Sequence, residues 1–331
     1  MTRPRTFRWW LAAAIALAGF PATWTSAWAQ GSTPGWPAKP IRLIVPLTPG
    51  SATDVMARVV MDQVSRQVGQ TVVIENRPGA GGTIGAGMVA KAPPDGYTVL
   101  AYGALATAHA LYARLPYDTL KDFVPVIPFG NQPLVIVVTP GKYQTLADLI
   151  AAGKARPGAL NYTTAGAGSA SHFGAERLLV SGGFTAQHIP FKGASEAVTE
   201  VVAGRADFSV QLFTTTIPLI REGKLAALAV SAEKRVSIMP ELPTTLEAGL
   251  TGDSVHPFYS GLFLPAQTPR EVVVRLHDEA AKAMQTPAVQ ERFRQLGVEP
   301  MPMTLEQFDR FFHDDVDAAV KIVKAANIPQ Q

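Results

Sequence analysis

Ser169, His172 and, further along, Asp207 are the residue types of a hydrolytic triad. Their setting argues against one. No G-x-S-x-G elbow surrounds Ser169, and His172 falls one turn along the helix that Ser169 would open, where a serine serves as cap. The six histidines show no H-E-x-x-H or related metal spacing. His313-Asp314-Asp315 with Asp317 reads as a solvated helix face, and His172 and His188 fall near loop ends. The glycines at 79, 81 and 85 are spaced G-x-G-x-x-x-G, and no Gly-Lys-Ser/Thr follows them. The run Gly79–Gly87 therefore predicts a tight turn with close helix packing rather than a dinucleotide fingerprint or a P-loop. Neither a metal nor a cofactor is expected.

What remains is anion binding by backbone. Ile41 to Val45 predicts a buried parallel strand between Pro40 and Pro46. Pro46 to Asp54 is too rich in proline and glycine for strand or helix, and Val55, Met56, Val59, Val60, Val64 and Val68 then mark one helix face that Gly69 ends. A loop that opens a helix offers N–H groups at its positive end. Asp54, in the first turn, either complements the helix dipole or points into a cleft to hold water or reject a second negative charge. Lys192, between a strand end and Gly193, suits a cleft role.

The elements that must position these residues repeat one plan. Strands at 71–75 and 97–102 follow the first unit, with the small-residue loop Gly103–Thr107 after the latter. Leu134 to Thr139 is a strand able to cross into a second lobe, where Leu160 to Thr164 runs into a small-residue loop and a helix, as in the opening unit. A strand ending at Phe191-Lys192-Gly193, further strands at 208–213 and 225–231, a return crossing at 259–264 and three C-terminal helices follow. Strands alternating with helices predict an α/β fold of two doubly wound lobes, with ligand held between them at the carboxyl ends of the strands.

Arg3, Arg5 and Arg8, the apolar run Trp9–Phe20 and Ala27-Trp28-Ala29 predict a secretory signal peptide cleaved after Ala29. Those three arginines account for the whole excess of 29 basic over 26 acidic residues, so the mature chain is neutral and has no bulk charge for nucleic acid. Cysteine is absent, which removes disulfides and thiolate metal sites and suits a periplasm. The expected organisation is a signal peptide at 1–29, a tether at 30–36, the first part of lobe 1 at 37–130, lobe 2 at 131–258 and the rest of lobe 1 at 259–331.

Several longer stretches resemble the periplasmic receptors of tripartite tricarboxylate transporters, the Bug receptors. They include Trp36-Pro-Ala-Lys-Pro-Ile-Arg-Leu-Ile-Val-Pro46, Glu75-Asn-Arg-Pro-Gly-Ala-Gly-Gly82, Pro94-Asp-Gly-Tyr-Thr98, Gly168-Ser-Ala-Ser-His172, Phe191-Lys-Gly193 and Glu247-Ala-Gly249. The resemblance spans essentially the whole mature chain. It implies a type II-like periplasmic binding fold, no enzymatic activity, and a cleft closing on a small carboxylate. The implied contacts are Leu47, Thr48, Gly50, Ser51 and Asp54 on the first loop, and Gly103 and Ala104 after the third strand. Across the cleft they are Thr164, Gly168, Ser169 and His172, then Phe191, Lys192 and Gly193, and Gln211. The family usually has Phe at Leu47, Gly at Ser51, Tyr at Phe191, Asp at Gln211 and Trp at Tyr259. Losing a carboxylate at 211 disfavours an amino acid and permits a di-acid or aromatic acid. The implied partner is a two-component membrane permease for a monomeric receptor, with a sensor kinase as the alternative. A secreted serine hydrolase is the rival reading.

Overall fold

The computed structural model describes residues 35–191, 193–255, 258–325, 328 and 330. The expected leader, most of the tether and Lys192 lie outside the described residues.

Alternation along the strands decides the architecture. In β1 (Ile41–Val45), Ile41, Leu43 and Val45 enter one apolar core while Ile44 enters another. A strand buried on both faces needs helices on both sides. These come from α1 (Ala52–Val68), β2 (Val72–Asn76), α2 (Thr83–Ala90), β3 (Thr98–Tyr102) and α3 (Leu105–Leu111), followed by β4 (Phe123–Asn131). The chain then crosses to β5 (Leu134–Val138), whose Leu134, Ile136 and Val138 face a third core and whose Val135 and Val137 face a fourth. Around it lie α4 (Leu146–Ala155), β6 (Leu160–Thr164), α5 (Ala170–Gly182), β7 (Ala186–Pro190), α6 (Ala194–Val202), β8 (Phe208–Leu212), α7 (Phe213–Arg221) and β9 (Ala226–Ser231). Finally β10 (Tyr259–Pro265) returns, and α8 (Arg270–Met284), α9 (Pro287–Leu296) and α10 (Leu305–Ala325) cover the first sheet.

The two five-stranded sheets run β2-β1-β3-β10-β4 and β7-β6-β8-β5-β9. In each, three parallel strands (β1 to β3, and β6 to β8) adjoin one strand of opposite direction, β10 or β5. The loops after β1, β3, β6 and β7 therefore sit at the carboxyl ends of parallel strands, the usual ligand edge of such sheets.

Several elements depart from expectation. β4 was not foreseen, because Pro125 and Pro128 speak against a strand; it is an edge strand whose pairing with β10 slips register twice, and an edge tolerates missing N–H donors. α3 begins inside what reads as a small-residue loop. α7 carries Thr214 to Thr216 and Pro218, a poor helix composition overridden by burial of Phe213, Thr216 and Ile217. Phe213 accordingly starts this helix rather than ending a strand. Trp36, assigned to the tether, is buried against Tyr97 at 6.1 Å between ring centroids. Asp315 is not on a solvated face. It shares the buried stripe of α10 with Phe308, Phe312 and Val316, and burial pushes its carboxyl up to about 6 against the opposing pull of Arg177 and Tyr259. The Gly79–Gly87 run behaves as a packed turn: Gly81 and Gly82 lie over Tyr112 and Tyr102, and the Tyr102 hydroxyl donates to the Gly81 carbonyl.

Gly103 has no room for a side chain. A Cβ there would overlap the Tyr259 carbonyl oxygen and stand 3.2 Å from Ser260 Cα. Gly103→Ala should lower stability by about 1–3 kcal/mol or more, read as a lower urea midpoint. A midpoint equal to that of the wild type would show that β3 and β10 separate freely here.

Candidate functional site

The first loop is built around a carboxylate. Ser51 caps α1, its Oγ accepting the Asp54 N–H at 3.3 Å, and Gly69 ends the helix in the left-handed conformation at φ 68°. Asp54 Oδ2 accepts from Gly50 N at 2.9 Å and Arg58 Nε at 2.9 Å, while Oδ1 accepts from Arg58 Nη2 at 3.0 Å and Asn76 Nδ2 at 2.9 Å. Asn76 Nδ2 also donates to the Leu47 carbonyl at 3.0 Å, and Ser51 N to the Thr48 carbonyl at 3.2 Å. Burial works to raise the Asp54 pKa, but the hydrogen bonds from Arg58, Gly50 and Asn76 outweigh it and hold the group below its ordinary range.

Asp54 is therefore a brace. It is 2% exposed and its two oxygens are occupied, so it does not point into a cleft as one of the two sequence readings had it. It also consumes the Gly50 N–H, one of the donors expected to face an anion. The N–H groups of Ala52 and Thr53, at the open turn of α1, have no acceptor among the described residues. Thr53 Oγ1 lies 2.7 Å from Ser260 Oγ, which ties this loop to β10 and so to Gly103 and Ala104 at the end of β3.

The second lobe's loops are braced in the same way. Ser169 caps α5 through the His172 N–H at 3.3 Å, and its own hydroxyl donates to the Gly166 carbonyl at 2.7 Å. Ser171 Oγ accepts Ala165 N at 2.9 Å, Thr164 Oγ1 accepts Gly166 N at 3.2 Å, and His172 Nδ1 accepts Gly168 N at 3.1 Å. Phe191 N donates to the Thr164 carbonyl at 3.0 Å, joining the loop after β7 to the loop after β6. Gly193 opens α6 without a side-chain cap. Gln211, buried at 2% exposure, donates to Ser209 Oγ at 3.0 Å.

Candidate residues thus gather into two groups, one at the strand ends of each sheet. The groups meet where Gly168 abuts Leu111 of α3, since a Cβ on Gly168 would stand 2.5 Å from Leu111 Cδ1. The bracing residues Arg58, Asn76, Ser171 and Glu176 were not singled out from sequence. Asn76 ends β2 and Glu176 falls four residues after His172, spacings that carried the signal. A separate apolar cavity of about 670 Å³ lies between β4, α8 and α9, and none of the candidate residues lines it.

The triad is not assembled. Ser169 Oγ is engaged with Gly166 and Ser171 rather than with the His172 ring. The Asp207 carboxylate accepts from Asn161 N at 2.8 Å and pairs with Lys142 at 2.9 Å.

Two doubly covered sheets, joined by crossing segments and bearing small-residue loops at adjoining strand ends, define a two-lobed solute-binding protein. Comparison with known proteins narrows this. Residues 56–328 match the model of the TctC family, the tripartite tricarboxylate transporter family receptors. BugT of Bordetella pertussis is 36% identical over 293 residues, covering 87% of this chain and 90% of BugT. The structure of R. palustris Rpa4515 with adipate superposes with a TM-score of 0.79 at 30% identity, covering 89% of this chain and 100% of that one. MatC from Rhodopseudomonas palustris with bound malate gives 0.75 at 28% identity, covering 87% and 99%. The chain belongs to this receptor family, whose members are periplasmic solute-binding receptors and not enzymes.

Asp54→Ala should cost about 1–3 kcal/mol of stability at neutral pH, because it strands the Gly50 N–H and the Asn76 amide while half-exposed Arg58 returns to water. The Asp54 pKa is lowered from an ordinary 3.8, so its contribution is complete above that value and fades as pH falls through the folded one. Urea titrations at about pH 7 and pH 3 should show the gap between variant and wild type narrowing in acid. A gap that is absent at pH 7, or equally wide at both, would count against the brace.

Proposed function

We propose that this chain is a periplasmic receptor that captures a small dicarboxylic acid between its two lobes and delivers it to a two-component membrane permease. The observation that carries the reading is the pair of relatives of matching length whose structures hold adipate and malate, both small dicarboxylates. The first carboxylate would take the N–H groups of Ala52 and Thr53, with Thr48 and Ser51 beside them. Thr164, Ser169, Phe191, Lys192 and Gly193 would meet the far end, and Gly103 and Ala104 would floor the cleft. Gln211, where the family resemblance implies an acid, offers no carboxylate to an ammonium, which favours an acid without an amino group. Ligand that bridges both groups would shift the lobes from open to closed. Export would follow cleavage after Ala29, with lobe 1 formed by 37–130 and 259–331 around lobe 2 at 131–258.

Native mass spectrometry of protein isolated from a periplasm, before and after unfolding, tests occupancy by a released acid near one per chain. A thermal-shift panel of adipate, malate, an aromatic acid and glutamate ranks the ligand class. The favoured dicarboxylate should stabilise the fold by about 2.7 kcal/mol at a hundredfold excess over its Kd, and glutamate should do less. Silence across the panel together with an empty cleft would overturn the reading.

A further inference from the structure

Behind the loop Thr164–Ser169 lies a stack of rings that the binding reading does not use. His172, on the first turn of α5, and His188, on β7, are parallel to within 9° with centroids 4.1 Å apart. The Tyr162 ring of β6 stacks on His188 at 5.0 Å, and its hydroxyl donates to Glu176 of α5. Glu176 Oε1 stands 3.6 Å from His172 Nε2. Because Gly168 N–H donates to His172 Nδ1, the proton of that ring belongs on Nε2, facing Glu176. On His188, Nε2 lies 2.6 Å from Thr164 Oγ1, the same oxygen that accepts Gly166 N–H.

Two neutral imidazoles thus hold the loop, His172 through its acceptor Nδ1 at Gly168 and His188 through its hydrogen bond with the Thr164 hydroxyl, which accepts Gly166 N–H. A proton on His172 Nδ1 turns that acceptor into a donor and expels the Gly168 N–H. A proton on His188 makes both of its ring nitrogens donors, so Nε2–H competes with Gly166 N–H for Thr164 Oγ1 and the hydroxyl proton is left to the Gly166 carbonyl at 3.4 Å. A charge on one ring opposes a charge on the other at this separation. Among the described residues Glu176 is the acidic side chain against the stack, Tyr162 from β6 is its other titratable neighbour, and Phe173 meets His172 edge-on.

We propose that His172 and His188, set by Glu176 and Tyr162, are positioning residues for the loop Thr164–Ser169, and that they make ligand capture acid-sensitive. The loop keeps its shape while both rings are neutral and loses it when either takes a proton. The proposal rests on the reading that this loop meets the ligand. The His188 environment agrees with it: burial, with help from the neighbouring His172, holds that ring down to about 4 from an ordinary 6.5 despite the opposing pull of Glu176. A lowered histidine contributes stability that is complete above the ordinary value and declines as pH falls towards the folded one.

The first measurement needs no ligand. Nitrogen-15 NMR of the full mature chain, labelled at histidine and backbone, follows both rings and the Gly168 amide from about pH 8 to pH 4. The expected result is His172 with its proton on Nε2 at the neutral end, and exchange protection of Gly168 lost in step with ring protonation. A Gly168 amide that stays protected while the rings titrate would overturn the positioning role. The second measurement is adipate affinity across the same range, in wild type, Glu176→Gln and His188→Phe, each normalised to its own value at the neutral end. The uptake of protons by adipate itself is common to all three and cancels in the comparison. Wild-type affinity should fall about twofold beyond the shared part by pH 4, where a ring held down to about 4 is half protonated. Glu176→Gln, which no longer favours a charged ring, should move the loss to lower pH, and His188→Phe should reduce it to the part that acts through His172 and Gly168. Profiles identical in all three, or affinity that rises in acid because an imidazolium attracts the carboxylate, would overturn the acid sensitivity. Coupled rings and loop in a protein that binds no adipate would instead count against the choice of ligand.

Discussion

A strand that runs against its neighbours holds the arrangement together. β10 is hydrogen-bonded to β3 on one side and β4 on the other, so the chain returning from the second lobe is stitched into the middle of the first sheet. The fit is close enough that Gly103 lies against the Tyr259 carbonyl and Gly261 against that of Ile127. Ser260 on the same strand reaches Thr53 in the first turn of α1. The outgoing crossing is fastened too: Asn131 exchanges two backbone hydrogen bonds with Glu299 at 2.8 Å, and Glu299 Oε1 accepts from Ser237 at 2.9 Å. Strand packing, crossing and first loop therefore depend on one insertion. A side chain on Gly103 would disturb all three, which makes its glycine a packing requirement.

The parts of the fold legible in sequence were those where local pattern and tertiary demand agree. β1 and α1 show apolar runs at strand and helix period, ended by Pro46 and Gly69, and the structure places them where the pattern does. β4 and α7 show the opposite. Pro125 and Pro128 inside a strand, and three threonines with Pro218 inside a helix, contradict local preference and hold only because edge pairing and burial of Phe213 and Ile217 outweigh it. Asp315 was legible in principle, since 308, 312, 315 and 316 fall on one stripe, but three acids and a histidine nearby suggested water.

The site was legible as loops and not as bonds. Ser51 and Ser169 read correctly as caps from their position before a helix. The spending of loop donors could not be read, because it depends on side chains brought from elsewhere: Asn76 from β2, and His188 from β7, which sets the Thr164 hydroxyl. A loop rich in small residues looks like a row of free N–H groups. In the folded chain Gly50, Ala165, Gly166 and Gly168 each donate inward. Fixing these groups restricts the loops before ligand arrives, and ordering completed on folding is not charged again on binding.

The two lobes achieve that restraint with the same kind of group in different surroundings. In the first, the Asp54 carboxylate is braced by Arg58, which is half exposed and stays charged across any ordinary pH. In the second, burial alone would push the Glu176 carboxyl up, yet the neighbouring His172 ring and the hydrogen bond from Tyr162 prevail and keep it low. The partner that matters there is an imidazole, the side chain whose charge changes nearest neutrality. A guanidinium brace ignores acid until the carboxylate itself takes a proton, whereas an imidazole brace yields first. Under the proposed reading, a response to mild acid would fall on the loops after β6 and β7, while the Asp54 brace of the first loop would hold until its own carboxylate takes a proton.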